Sequence, residues 1–274
     1  MLMSSLDSLS EIVLGNVKLP SEAEEQIVPF LQRIQKTFGN PVSLVHDMGG
    51  GILKAVARVF PNVPDFICHF HFLRDIGKDL LGADYELIRQ RLRKHQIHAK
   101  LRSHAKALQR RLDPGVMDKL SNGSLDPLPS DTDLQLFPLV SAYSLILWTL
   151  EGRTQGDGYG FPFDQPHLSF AQRIQRLYSQ LDQIKWLELR RGQWRDNMPY
   201  FDLLNDLGPI IDDRHLWPAV ENIQGHILIF ERLRQALRIA PKAGGRGLND
   251  EGNGGNIHSI EQRVKAFRVW LTTR

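Results

Sequence analysis

Apolar residues in the first eighty positions alternate between strand-like and helix-like spacing. The runs "SEIVLGNVKL" (10–19) and "VSLVH" (42–46) are short, contain several β-branched residues and predict strands. The segment between them begins with Pro, Ser and glutamates and then repeats apolar residues at helical spacing, which predicts a helix that ends at Gly39-Asn40-Pro41. The apolar face of this helix consists of Ile27, Phe30, Leu31 and Ile34.

The same alternation continues to residue 70. "GGILKAVARVF" (50–60) predicts a second helix, and "DFICHF" (65–70) again has strand character. The apolar face of the second helix consists of Ile52, Leu53, Val56, Val59 and Phe60. Strands and helices in this order are typical of α/β folds and predict parallel pairing between the last two strands.

The rest of the chain has mainly helical periodicity, beginning with "HFLRDIGKDLL" (71–81). Further helices are predicted over 84–112, 133–151, 167–191, 215–239 and from residue 257 onward. Residues 113–132 are rich in Pro, Gly, Ser and Asp, which predicts a loop. The predicted layout is an α/β unit (1–80), a helical region (81–239), a Gly-rich linker (240–256) and a C-terminal helix (257–274).

Composition places the chain among ordinary globular proteins, with 42% hydrophobic and 24% charged residues. The formal net charge is only +3, so binding to nucleic acid would require local clustering of cations. Cys68 is the single cysteine, which excludes an intrachain disulfide and favours a reducing compartment. No apolar run approaches the roughly 20 residues that cross a bilayer, and the first residues lack a signal-peptide pattern. These features predict a cytoplasmic protein with no membrane partner.

A basic helix is predicted from Arg89 to Arg111, a stretch that contains no acid. Its cations are Arg89, Arg91, Arg93, Lys94, Lys100, Arg102, Lys106, Arg110 and Arg111. Its apolar stripe is narrow and consists of Ile97, Leu101, Leu108 and Leu112. Surface helices usually mix charges of both signs, so this stretch predicts either a solvated basic face or a surface that binds DNA phosphates.

Asp47 comes directly after a predicted strand and is followed by the glycines of "DMGGG" (47–51). This segment is neither a Walker loop nor a GxGxxG motif. A carboxylate at the carboxyl end of a parallel strand is well placed to bind a hard cation such as Mg²⁺. The alternative is that Asp47 caps the following helix.

Cys68 and His71 form a C-x-x-H motif, which supplies two ligands where a structural zinc site needs four. If the segment is a strand, Cys68 and Phe70 share one face, and His69 and His71 share the other. A buried, structural Cys68 is the simpler interpretation.

The segment "DGYGFPFDQPH" (157–167) is predicted to be a turn between helices. Its aromatic residues Tyr159, Phe161 and Phe163 either anchor the loop to the core or stack on an unpaired base.

Together, residues 42–81, "VSLVHDMGGGILKAVARVFPNVPDFICHFHFLRDIGKDLL", resemble the core of Mutator-like transposases in the DDE, RNase H-like superfamily. That family has a strand ending in the second catalytic Asp, a helix that reaches "vFP", and a C-x-x-H motif. These features match Asp47, Val59-Phe60-Pro61, and Cys68 with His71. The resemblance covers about 40 of 274 residues.

The resemblance implies an incomplete RNase H-like α/β core followed by a long, mainly helical region. It also implies metal-dependent DNA cleavage and strand transfer in DNA transposition, with three carboxylates holding two Mg²⁺ ions. Asp47 would be a catalytic, metal-binding carboxylate, and Cys68 and His71 would have a structural role. Candidates for the third acid are Glu151, Asp157, Asp164 and Glu261.

The expected first acid has no clear counterpart, because Asp7 is the one candidate and no strand is predicted ahead of it. The resemblance therefore predicts a truncated, catalytically defective transposase whose central sheet is cut. Its expected partners are DNA and either a second copy of the chain or an intact transposase. Two alternatives remain: a non-catalytic DNA-binding protein that uses residues 89–111, and an unrelated α/β protein in which Asp47 is a helix cap.

Overall fold

A computed structural model describes residues 1–112, 131–190, 199–237 and 257–273. The chain divides into two compact units, Met1–Ile76 with Glu231–Arg274, and Gly77–Phe230. The described residues are mainly helical with a few short strands, which is compatible with a mixed α/β class. None of the described helices is both long and apolar enough to cross a membrane. The predicted linker 240–256 and nearly all of the predicted loop 113–132 lie outside the described residues.

The strands all fall in the first 67 residues of the described chain. They are β1 (Leu2–Leu6), β2 (Val13–Lys18), β3 (Leu44–His46) and β4 (Asp65–Ile67). The helices are α1 (Glu24–Phe38), α2 (Gly50–Val59), α3 (His69–Lys94), α4 (Ile97–Gln109), α5 (Asp131–Glu151), α6 (Pro166–Arg190), α7 (Pro199–Ile211), α8 (Leu216–Leu237) and α9 (Ile257–Thr272).

Two separate pairs of strands lie in the first unit. β1 is antiparallel to β2, with Leu2 opposite Lys18. β3 is parallel to β4, with Leu44 opposite Asp65, which confirms the predicted parallel pairing. Within the described residues these pairs do not join into one sheet.

β1 lies where the sequence analysis predicted no strand. Met1 and Leu19 exchange backbone hydrogen bonds of 2.7 and 2.8 Å, and Met3 packs against the core. The expectation that no strand precedes Asp7 is therefore wrong, because Asp7 follows β1 directly. Hydrogen bonds from the Ser10 hydroxyl and the Ser10 N–H lower the pKa of the Asp7 carboxyl and hold the turn between β1 and β2.

The core of the first unit forms where α1 and α2 pack together. It consists of Leu19, Ile27, Val28, Phe30, Leu31, Ala55, Val56, Val59 and Phe60. α1 ends at Phe38 and is capped by Gly39, whose φ of 85° is disfavoured for residues that have a Cβ, as the Gly-Asn-Pro signal predicts. The face predicted for α2 is partly wrong, since Leu53 is 37% exposed and Ala55 is buried in its place.

The strand predicted for residues 65–70 is too long. β4 ends at Ile67, and α3 begins at His69. The Cys68 carbonyl already accepts a helical hydrogen bond from the Phe72 N–H at 3.1 Å. Residues 69–71 are therefore helical, and the prediction that His69 and His71 lie on the same face of a strand is wrong.

In the second unit, the predicted basic helix is two helices. α3 ends at Lys94, and α4 begins at Ile97 after Gln96, which has left-handed backbone angles (φ 51°, ψ 26°). The apolar stripe is confirmed, because Ile97, Leu101, Leu108 and Leu112 are at most 4% exposed. α7 was not predicted; Gly208 and Pro209 lie inside it and weaken its helical signal.

The left-handed residue between α3 and α4 gives a first prediction. Replacing Gln96 by Gly should raise the free energy of unfolding by about 0.5–1 kcal/mol, because Gly adopts these angles without a Cβ clash. Urea denaturation would measure the change. Gln96→Ala is the control and should change stability by less than about 0.5 kcal/mol, since Ala keeps the Cβ. Equal effects from the two substitutions would contradict this explanation of the helix break.

Candidate functional site

Asp47 lies exposed in the turn between β3 and α2. Its Oδ1 atom accepts a hydrogen bond from the Gly49 N–H at 3.2 Å. Gly49 itself is the capping residue of α2, and α2 has no side-chain cap. The alternative in which Asp47 caps the helix is therefore wrong, and the carboxylate instead fixes the turn that leads to the helix.

Of the three glycines after Met48, Gly51 is where space is tightest. A Cβ atom on Gly51 would lie 1.8 Å from the carbonyl oxygen of Glu22, whereas a Cβ atom on Gly50 would meet nothing within 4 Å. Gly51 thus lets the start of α2 approach the segment that leads into α1. The glycine run has a packing role that does not require a bound phosphate.

His46 fixes the end of β3 beside Asp47, a role that the sequence analysis missed. Its Nε2 atom lies 2.6 Å from Asp65 Oδ1 at the start of β4, and its Nδ1 atom contacts the Asp47 carbonyl oxygen. The His46 side chain is 7% exposed. The position of a histidine next to Asp47, at the end of a strand, was the available signal.

The C-x-x-H motif lies at the junction of β4 and α3. The Cys68 N–H donates to the His46 carbonyl at 2.7 Å, so Cys68 continues the β3–β4 ladder. His71 lies in the first turn of α3, and its Nδ1 atom is buried without a hydrogen-bond partner in the described part of the chain. The backbone of Cys68 thus joins the strand pair to the helix, while the residue is half-buried rather than buried as predicted.

Three of the predicted third acids lie in the second unit and have local partners. Glu151 is at the end of α5, 3.9 Å from Arg173, and its side chain is 72% exposed. Asp164 accepts hydrogen bonds from the N–H groups of Asp157 and Gly160, both at 2.7 Å. Partial burial acts to raise the pKa of Asp164, but these backbone donors outweigh it and lower the pKa. Asp164 therefore organises its own loop.

The fourth candidate, Glu261, lies on α9 and pairs with Lys265 at 2.8 Å. Nowhere in the described residues do three or more His, Cys, Asp or Glu side chains form a group that could hold a metal ion. The described residues thus do not assemble, around Asp47, the ligand set that a two-metal site requires.

The aromatic loop at 157–167 is anchored to its own unit. Phe161 stacks on Tyr85 with ring centroids 4.5 Å apart, and Phe163 lies 5.9 Å from Phe230. Tyr159 is 57% exposed. Anchoring, rather than base stacking, therefore accounts for Phe161 and Phe163.

Three of the nine predicted DNA-binding cations are engaged with acids from within the second unit. Arg89 pairs with Glu86 at 2.7 Å, and Lys100 pairs with Asp206 at 2.9 Å. Arg91 pairs at 2.7 Å with Asp213. Acids outside residues 89–111 thus neutralise part of the charge of this stretch: Glu86 on α3, Asp206 on α7 and Asp213 before α8.

The other six cations are exposed, and no carboxylate of the described residues lies within ion-pair distance of them. We call this set the basic surface: Arg93, Lys94, Arg102, Lys106, Arg110 and Arg111. Arg102, Lys106 and Arg110 follow one another at intervals of four residues, so they form a stripe along α4 with steps of about 6 Å.

Asp213 forms a buried ionic network that the sequence analysis missed. Its side chain is fully buried and contacts Arg91 and, at 2.6 Å, His95. It also accepts the N–H groups of His215 and Leu216 at 2.9 and 3.1 Å, which begins α8. An Asp three residues ahead of an apolar helical run was the signal for this capping role.

Comparison with protein-family models, with curated proteins and with solved structures gave no match.

Proposed function

We propose that this chain is a transposase-related DNA-binding protein that attaches to duplex DNA through the basic surface and does not cut DNA on its own. The observation that carries the proposal is the set of six exposed cations without acidic partners among the described residues, on α3, on α4 and directly after α4. The resemblance of residues 42–81 to Mutator-like transposases supports the choice of DNA as the ligand.

The physical basis is electrostatic. Duplex DNA presents one negative charge for roughly every 1.7 Å of its axis, and cations that neutralise phosphates release bound counterions. A stripe of Arg102, Lys106 and Arg110 along one helix can contact successive phosphates without reading the bases. Binding of this kind is strongly salt-dependent and independent of sequence.

The test is fluorescence anisotropy with a labelled duplex over a series of salt concentrations. Replacing Arg102, Lys106 and Arg110 by Ala should weaken binding and reduce the slope of log K against log salt by roughly 0.9 for each phosphate that is no longer neutralised. A matched control replaces three exposed cations on other helices, Lys36, Lys54 and Arg268, by Ala. Equal weakening in both variants would reject the basic surface as the binding site, and absence of binding by the unaltered chain would reject the proposal.

Metal-dependent strand cleavage is the second candidate, favoured by the position of Asp47 at the carboxyl end of a parallel strand pair. A complete site would use Asp47 and Mg²⁺, with further carboxylates from a second copy of the chain or an intact transposase. Supercoiled plasmid incubated with Mg²⁺ or Mn²⁺ should remain unnicked by the chain alone. Nicking that disappears in Asp47→Ala would show that the chain is catalytically active.

A further inference from the structure

A cavity of about 920 Å³ lies in the first unit along the edges of two strands. Its lining includes every residue of β1 and all of residues 43–47, which contain β3, but no residue of β4. Successive side chains of a strand point to opposite faces, so a cavity that touches all of them follows the edge of the strand rather than one face. The cavity therefore runs along the free edges of β1 and β3.

The backbone hydrogen bonds identify these edges. Met1 and Leu19 form a reciprocal pair, so Met3 and Ser5 also point their backbone groups at β2, while Leu2 and Ser4 point theirs away. In β3, Leu44 and His46 bond to the segment that contains β4, which leaves the N–H and C=O of Val45 directed away from β4. Leu2, Ser4 and Val45 are exposed, so these edges leave backbone donors and acceptors available for pairing with a further strand.

The cavity has the size of one strand. A strand of five residues rises about 3.3 Å per residue and occupies about 4.8 Å between neighbouring strands and about 10 Å between packed layers, or roughly 800 Å³. The floor of the cavity is apolar and includes Ile27, Phe30 and Val56, which belong to the core between α1 and α2. On the face of the strands opposite this floor, Leu2 is 72% exposed and Val45 is 66% exposed.

The charge of the lining is mainly negative. Three carboxylates line the cavity, those of Asp7, Glu22 and Asp47, against one cation, the terminal ammonium of Met1, and no lysine or arginine of the described residues. An occupant with basic residues near its ends would complement these carboxylates.

We propose that this cavity is a strand-addition site that takes one extended peptide segment of a partner polypeptide between β1 and β3. The segment has apolar side chains at alternate positions facing α1, and lysine or arginine near its ends. Main-chain hydrogen bonds to both edges provide affinity, and the alternate side-chain positions provide specificity. This inference goes beyond the proposed DNA binding, which uses residues of the second unit.

None of the described strands could occupy this site if it came from a second copy of the chain. An occupant that bonds to both β1 and β3 must have two free edges. Each described strand already uses one edge for its partner, since β1 pairs with β2 and β3 pairs with β4. A single extended segment that is not paired with another strand has both edges free and meets this requirement.

The probe is a fluorescent peptide of sequence Lys-Val-Thr-Val-Thr-Val-Lys, added to the full chain. We expect saturable binding by anisotropy and slower hydrogen exchange at the Leu2, Ser4 and Val45 amides, by about tenfold or more, with little change at Met3 and Ser5. The matched control peptide carries N-methyl groups on the valines, which removes backbone donors, and it should not bind.

Two variants of the chain distinguish strand addition from nonspecific hydrophobic binding of the peptide. Val45→Pro removes the outward N–H without touching the bonds to β4, and it should weaken peptide binding about tenfold, while Val45→Thr keeps the N–H and binding. Urea denaturation of both variants checks that they fold. Equal binding of the N-methylated peptide, unchanged exchange at Leu2 and Val45, or a dimer in which these amides are protected without peptide would each overturn the proposal.

Discussion

Replacing Asp213 by Asn is expected to lower the free energy of unfolding by about 3 kcal/mol. The substitution removes the negative charge from a fully buried side chain and leaves Arg91 and His95 beside a neutral amide. Loss of one partner from a buried ion pair costs about 3–5 kcal/mol, and the lower end applies because Arg91 is 21% exposed and regains some hydration. Urea denaturation at neutral pH would measure the effect.

The same residue predicts a pH dependence. Burial acts to raise the pKa of Asp213, but hydrogen bonds from Arg91, His95 and two backbone N–H groups outweigh it and hold the pKa far below its usual range. The folded-state pKa is lowered, so this stabilisation is present in full above the unfolded-state pKa of about 3.9 and is lost as the pH falls below that value. The stability difference between the unaltered chain and Asp213→Asn should therefore shrink below about pH 4.

Asp212 provides the control for this prediction. It is exposed and adjacent in sequence, so Asp212→Asn makes the same change of charge outside the network. We expect a change of less than about 0.5 kcal/mol. If Asp212→Asn and Asp213→Asn destabilise the chain equally, the buried network is not the cause.

Local signals sufficed for the elements that depend on their own periodicity. The faces of α1 and α4 and the parallel pairing of β3 with β4 follow from apolar spacing and from the Gly and Pro residues between the elements. α7 was missed because Gly208 and Pro209 lie inside a helix that tertiary contacts stabilise. Propensity alone does not include those contacts.

The break between α3 and α4 shows why the basic segment was misinterpreted. No Gly or Pro marks position 96, and the sequence around it favours a continuous helix. The structure instead turns at Gln96, next to His95, which bonds to Asp213. Asp213 is 118 residues away in sequence, so a local pattern could not predict this pair or the neutralisation of Arg91.

The interpretation of Asp47 as a metal-binding carboxylate depended on finding its partner carboxylates as much as on the motif around it. The position of Asp47 at the end of a strand parallel to its neighbour agrees with the sequence-based expectation. The two-metal site was inferred by resemblance, and its other carboxylates depend on residues far apart in sequence. β1 was missed because its five residues "LMSSL" are short and contain two serines, although pairing with β2 and packing of Met3 stabilise it.

The second large effect is expected at the glycine run after Asp47. Gly51→Ala should lower the free energy of unfolding by at least about 2 kcal/mol, because the added Cβ would lie 1.8 Å from the backbone carbonyl of Glu22 and would force α2 away from that segment. Gly50→Ala is the matched control: its Cβ meets nothing, and the gain in helix propensity should stabilise the chain by up to about 1 kcal/mol. Urea denaturation of both variants should therefore give changes of opposite sign.

The same two variants distinguish a packing role of the glycines from a phosphate-binding role. If the glycines serve close packing, Gly50→Ala keeps full affinity for duplex DNA and Gly51→Ala loses stability first. A phosphate-binding loop would behave differently, since a methyl group at either position would obstruct approach of a phosphate to the backbone. A loss of DNA affinity in a stable Gly50→Ala protein would therefore identify "DMGGG" as a phosphate-contacting loop and contradict the packing role. Unchanged affinity would leave the basic surface of the second unit as the principal DNA contact.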